Sequence, residues 1–148
     1  MALYFQIVNP SPNLATQIAL NGVKVRYYFN ATTSPLGFTS VCDSASVSPP
    51  YSPIKSEVTI TPGASPGATA QADNGTYYLE FAFSAATQSI PGAGGLVNVQ
   101  ARFFPSSYAS GTFSPTTDYS YLAGDGGYVA NPKMTATLGG TLVWGQTP

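Results

Sequence analysis

The sequence predicts an all-β domain, an antiparallel β-sandwich, from three observations. Several runs alternate apolar and polar residues with a period of two. Turn formers punctuate these runs, with 15 glycines and 13 prolines among 148 residues. Charged residues make up only 7% of the chain, so the Glu, Lys and Arg that build long amphipathic helices are nearly absent. Strands with one apolar and one polar face suit a sandwich that is packed inside and wet outside. Turns rich in Gly, Pro and Ser fit a sandwich or jelly roll. The length fits one domain over 1–148, with enough chain to bury a core.

The elements follow in order. Leu3–Val8 is a β-rich run that stops at Asn9-Pro10-Ser11-Pro12. Val23–Phe29 puts Val23, Val25, Tyr27 and Phe29 on one face and Lys24, Arg26 and Tyr28 on the other. The stretch between Cys42 and Tyr51 reads as a loop. Ser56–Ile60 is a short strand ended by Thr61-Pro62-Gly63, and Pro62–Ala68 reads as a flexible surface loop. Thr76–Phe83 alternates again, with Tyr77, Leu79, Phe81 and Phe83 together. Gly92-Ala93-Gly94-Gly95 is a turn between strands. Leu96–Phe103 sets Val97, Val99, Ala101 and Phe103 against Asn98, Gln100 and Arg102. Met134–Leu138 and Thr141–Trp144 flank Gly139-Gly140, where glycine supplies the positive φ of a two-residue hairpin turn.

Composition excludes several functions. Net charge is -1 with no basic run, so nucleic acid is not expected as a partner. No stretch approaches the roughly 20 apolar residues that span a bilayer. The segment after Met1, Ala-Leu-Tyr-Phe-Gln-Ile, has neither a basic start nor a cleavage site. Cys42 is the single cysteine, expected to be buried or half-buried, and there is no histidine. The usual zinc and copper ligand sets and any His-based nucleophile triad therefore cannot be built. A glycosidase needs two facing carboxyl groups. The acids are Asp43, Glu57, Asp73, Glu80, Asp118 and Asp125, and their spacing points to no pair. A non-catalytic binding module is the expected class.

Six segments, in order, carry a resemblance. They are Val25–Phe29 (V-R-Y-Y-F), Cys42-Asp43, Thr76–Phe83 (T-Y-Y-L-E-F-A-F), Val97–Phe103 (V-N-V-Q-A-R-F), Asp118–Tyr121 (D-Y-S-Y) and the ending Met134–Gly145, with its L-V-W-G. Their order resembles family 3 carbohydrate-binding modules, the cellulose-binding domains of cellulases and scaffoldins. That resemblance implies a nine-stranded sandwich with jelly-roll topology, a further strand before Leu3–Val8, a core position for Trp144 and an extracellular, secreted setting.

The same resemblance implies where ligands sit. A flat strip of Asp43, Tyr51, Arg102 and Tyr108 would meet an insoluble β-1,4-glucan, cellulose first and chitin as a related flat glycan. Aromatic rings bury area there at little conformational cost. The family's histidine after the aspartate is Ser44 here. A shallow groove on the opposite sheet would take Arg26, Tyr28, Glu80, Gln100 and Tyr119. A calcium site would draw on Asn30, Thr32, Ser114, Thr117 and Asp118, of which Asp118 alone is a carboxylate, which makes for a weak site. The partners implied are a fused catalytic domain or scaffold. A structural or docking module packed on such a neighbour, with little glycan affinity, is the alternative; the lost histidine favours it, and Arg102 and Tyr108 oppose it.

Overall fold

The computed structural model describes residues 1–30, 38–64, 77–105, 115–124 and 127–148. Strands β1 (Ala2–Val8), β9 (Leu96–Pro105), β4 (Phe38–Ser48) and β5 (Ser52–Pro53) form one antiparallel sheet, in that order. The second sheet runs β11 (Thr141–Trp144), β10 (Thr135–Leu138), β3 (Val23–Phe29), β7 (Tyr77–Phe83) and β6 (Val58–Ala64). A short pair, β2 (Gln17–Ala19) with β8 (Ser89–Pro91), completes the strands among the described residues. The chain crosses repeatedly between the two large sheets, and among the described residues only single-turn 3₁₀ segments interrupt them.

The core forms where alternation points inward from both sheets. Val23, Val25, Tyr27 and Phe29 meet Tyr77, Leu79, Phe81 and Phe83 within one sheet. Leu3, Phe5, Val97, Val99, Ala101 and Phe103 come from the other. Ring pairs stitch the layers. Phe5 meets Phe81 at 4.9 Å edge-on, and Phe103 lies 5.1 Å from Phe29, 5.9 Å from Phe38 and 6.1 Å from Tyr27. Buried Asn9 holds one end shut: its Nδ2 donates to the carbonyls of Thr16 and Ile90, and its Oδ1 accepts from Ser11 N.

The hairpin forms as its sequence requires, with Gly139 at φ 56° and Gly140 at φ 85°. Four expectations need correction. The stretch after Cys42 is strand, since β4 is the longest described element; between its larger inward residues Phe38 and Val47, the inward Ser40, Cys42 and Ala45 are too small to mark the alternation. The short strands β2, β5 and β8 lack an alternating run long enough to read. Pro62-Gly63-Ala64 belongs to β6, while 65–68 lie outside the described residues. An edge strand tolerates the proline's missing N–H. Gly63 leaves room for the Tyr78 ring, whose atoms would sit 2.6 Å from a Cβ there.

Trp144 is not a core residue. It is 50% exposed, because β11 ends the five-stranded sheet and all four of its residues face solvent. Its indole N–H still donates to the Asn131 carbonyl at 3.2 Å.

Phe103→Ala should remove the ring that joins both layers. Truncating a fully buried Phe costs about 3–5 kcal/mol, so the urea midpoint should fall sharply. An unchanged midpoint would show that this ring is not central.

Candidate functional site

The outer face of the four-stranded sheet is built by the parity of β9. With Val97, Val99, Ala101 and Phe103 fully inward, Asn98, Gln100 and Arg102 must point out. On β1, buried Leu3 and Phe5 likewise turn Tyr4 and Gln6 outward. Register sets these side chains in rows: Tyr4, Gln100 and Ser44 lie abreast, as do Gln6, Asn98 and Ser46. Gln6 Nε2 donates to Asn98 Oδ1 at 2.7 Å.

Asp43 faces outward by alternation from inward Cys42, and it sits at a β-bulge. The register of β4 on β9 shifts between Cys42 and Ser44, which leaves Asp43 as the extra residue. Arg102 grips it with both arms: Nε donates to Oδ2 at 2.7 Å and Nη2 to Oδ1 at 2.6 Å. A bidentate pair fixes the guanidinium plane. The Arg102 hydrogen bonds hold the Asp43 carboxyl below the usual carboxylate range. Tyr51, 72% exposed, follows the far end of β4. Ser48 pairs with Leu96 there, six residues along β9 from Arg102, or about 20 Å. Asp43 and Arg102 therefore come together, Tyr51 lies distant along the same strands, and Tyr108 falls outside the described residues.

The groove residues divide. Glu80 bridges Lys24 and Arg26, each at 2.8 Å, and Arg26 stacks over Tyr78 at 4.2 Å. Burial raises the Glu80 carboxyl, but these cations outweigh it and hold the group below its ordinary value. Tyr28 is not a surface residue: it is 1% exposed, its hydroxyl bonds Thr135 Oγ1 at 3.0 Å, and Tyr78 and Tyr119 pack edge-on against it. Gln100 belongs to the other sheet, on the face with Arg102. Parity within β9 already groups Gln100 with Arg102; the strand register is the missing signal.

The calcium residues also serve other ends. Asp118 is buried, accepting from Tyr27 Oη and from Asn30 N, each at 3.0 Å. Asn30 Nδ2 donates to the Thr117 carbonyl at 2.6 Å. Lys133 lines the same hollow as Asp118 and Thr117. Thr32 and Ser114 lie outside the described residues. The described donors do not fit a calcium shell, and among the described residues no cluster of three or more acids, Cys or His could hold a metal ion.

Burial pushes the Asp118 carboxyl up to about 6, against the pull of its Asn30 and Tyr27 donors. A raised folded value means that the folded state holds this proton more tightly. The stabilisation is full below pH about 4 and is lost as pH rises through about 6. Thermal midpoints across that window should fall more steeply for the wild type than for Asp118→Asn. Parallel profiles would refute the assignment.

Among the described acids, Asp43, Glu80 and Asp118 are each tied to structural partners. No helix among the described residues is long and apolar enough to cross a membrane. A model of the cellulose binding domain family matches residues 1–145. Exoglucanase-2 of Thermoclostridium stercorarium is 36% identical over 135 residues, covering 90% of this chain and 13% of that protein. Cellulose-binding protein A of Clostridium cellulovorans is 32% identical over 138 residues, covering 90% of this chain and 7% of that one. The chain thus spans a small part of both. The crystal structure of a family IIIa cellulose-binding domain from Clostridium cellulolyticum superimposes with a TM-score of 0.81 at 32% identity, covering 99% of this chain and 88% of that one.

Proposed function

This chain belongs to the cellulose binding domain family, and from that premise we propose that it binds the surface of an insoluble β-1,4-glucan, cellulose first, through the outer face of its four-stranded sheet. It is a binding module, not an enzyme. The observation that carries the site is the bidentate Arg102–Asp43 pair on an exposed, nearly neutral face. The guanidinium plane is held ready for sugar hydroxyls, at little further ordering cost on binding. Tyr51 supplies a ring at the far end, and Tyr108 is proposed as the largest apolar contact. The names of the relatives point to glucan and cellulose. Neither name mentions chitin, which enters only as an arm of the test.

We place the module in a secreted protein, beside a catalytic domain or in a scaffold. The small share of its relatives that it spans supports that setting. Ser44, where the family's histidine would stand, favours the docking alternative, because a ring is lost from the row beside Gln100.

Depletion isotherms on microcrystalline cellulose test the proposal, with chitin in parallel. The wild type should be retained, and added salt should change little, because the ligand is uncharged. Tyr108→Ala should weaken binding roughly thirtyfold, the effect of losing a central aromatic anchor. Arg102→Ala should cost less, since an exposed group exchanges a sugar hydrogen bond for water. Unchanged retention of Tyr108→Ala would sink the strip, and no retention of the wild type would favour the docking module.

A further inference from the structure

The binding face has an aromatic residue outside the strip of Asp43, Tyr51, Arg102 and Tyr108. Tyr4 sits mid-strand on β1, an edge strand one position beside β9. Its neighbours Leu3 and Phe5 are anchored in the core at 8% and 7% exposure, so the backbone beneath it is fixed. Tyr4 itself is 62% exposed. It lies directly across from Gln100. Among the described residues its hydroxyl has no hydrogen-bond partner. A large aromatic group held mostly exposed on a rigid strand is a ready surface contact.

We propose that Tyr4 is a glycan-contacting residue, an aromatic platform that widens the binding face laterally from β9 onto β1. The inference rests on the glucan-binding reading above. Its occupant is the same insoluble glucan, because Tyr4, Gln100 and Ser44 form one continuous row across that face. Adjacent strands lie about 4.8 Å apart, so the ring stands beside the line from Arg102 to Tyr51 and not along it. It therefore meets sugar that the strip itself does not cover. The ring face does the binding, and the hydroxyl is secondary.

The test compares wild type, Tyr4→Ala, Tyr4→Phe and Tyr4→Trp in depletion isotherms on microcrystalline cellulose, with thermal midpoints measured alongside. Tyr4→Ala should weaken binding about tenfold, a typical loss for a contributing aromatic, with its midpoint near that of the wild type. Tyr4→Phe should bind like the wild type, and Tyr4→Trp at least as tightly. If the wild type binds and Tyr4→Ala binds equally well, the platform is refuted while the strip stands. If Tyr4→Phe loses as much as Tyr4→Ala, the ring is not the contact and the proposal fails. If affinity falls only in step with the midpoint, Tyr4 is structural and the proposal fails. If the wild type itself is not retained, the glucan-binding reading falls and this inference with it.

Discussion

The proposed binding face depends on the packing of Phe103. Its ring sits between the layers against Tyr27, Phe29 and Phe38, and that contact fixes which way β9 faces. A strand alternates with a period of two, so one anchored side chain sets the direction of all the others. Arg102, Gln100 and Asn98 point outward because Phe103, Ala101, Val99 and Val97 point in. The register of β1 and β4 then aligns Tyr4, Ser44 and Ser46 with them. The core thus supplies the positional accuracy of a site that contains almost no core residue.

A bulge carries the other half of that accuracy. Alternation from inward Cys42 already turns Asp43 outward beside Arg102; the inserted residue lets Ser44 face outward as well, opposite Gln100, and returns Ala45 to the core. The pair is exposed, and its importance is geometric. Both charges are satisfied by one another, so the face offers an oriented, locally neutral hydrogen-bonding plane to an uncharged ligand. Two further acids are held just as firmly elsewhere. Glu80 is shared between Lys24 and Arg26, and Asp118 caps Tyr27 and Asn30.

Much of this was legible in the sequence wherever large apolar residues alternate. Val23–Phe29 and Thr141–Trp144 have the bounds read from the sequence, and β1, β7, β9 and β10 differ only at their ends. What escaped shares a physical cause. The middle of β4's inward face, Ser40, Cys42 and Ala45, is built from small residues, which carry little hydrophobic signal, and β6 runs through Pro62-Gly63 because edge strands obey looser rules. Trp144 shows the limit of carrying burial over from a resemblance, since burial depends on what lies opposite in this chain. Within the site, Arg102 with Asp43 came from motif order, whereas the row of Tyr4, Gln100 and Ser44 needed cross-strand register, which one sequence does not encode locally.

The bare edge at β11 governs how the protein behaves in concentrated solution. Leu142, Val143 and Trp144 are each at least half exposed on the terminal strand of a sheet whose hydrogen-bonding edge is unpaired among the described residues. Such an edge is a template for a second strand, and a net charge of -1 provides almost no mutual repulsion between copies. Colloidal stability is therefore set at this margin, remote from the sugar-binding face, and a lysine at Val143 would raise the solubility ceiling without touching a residue of that face.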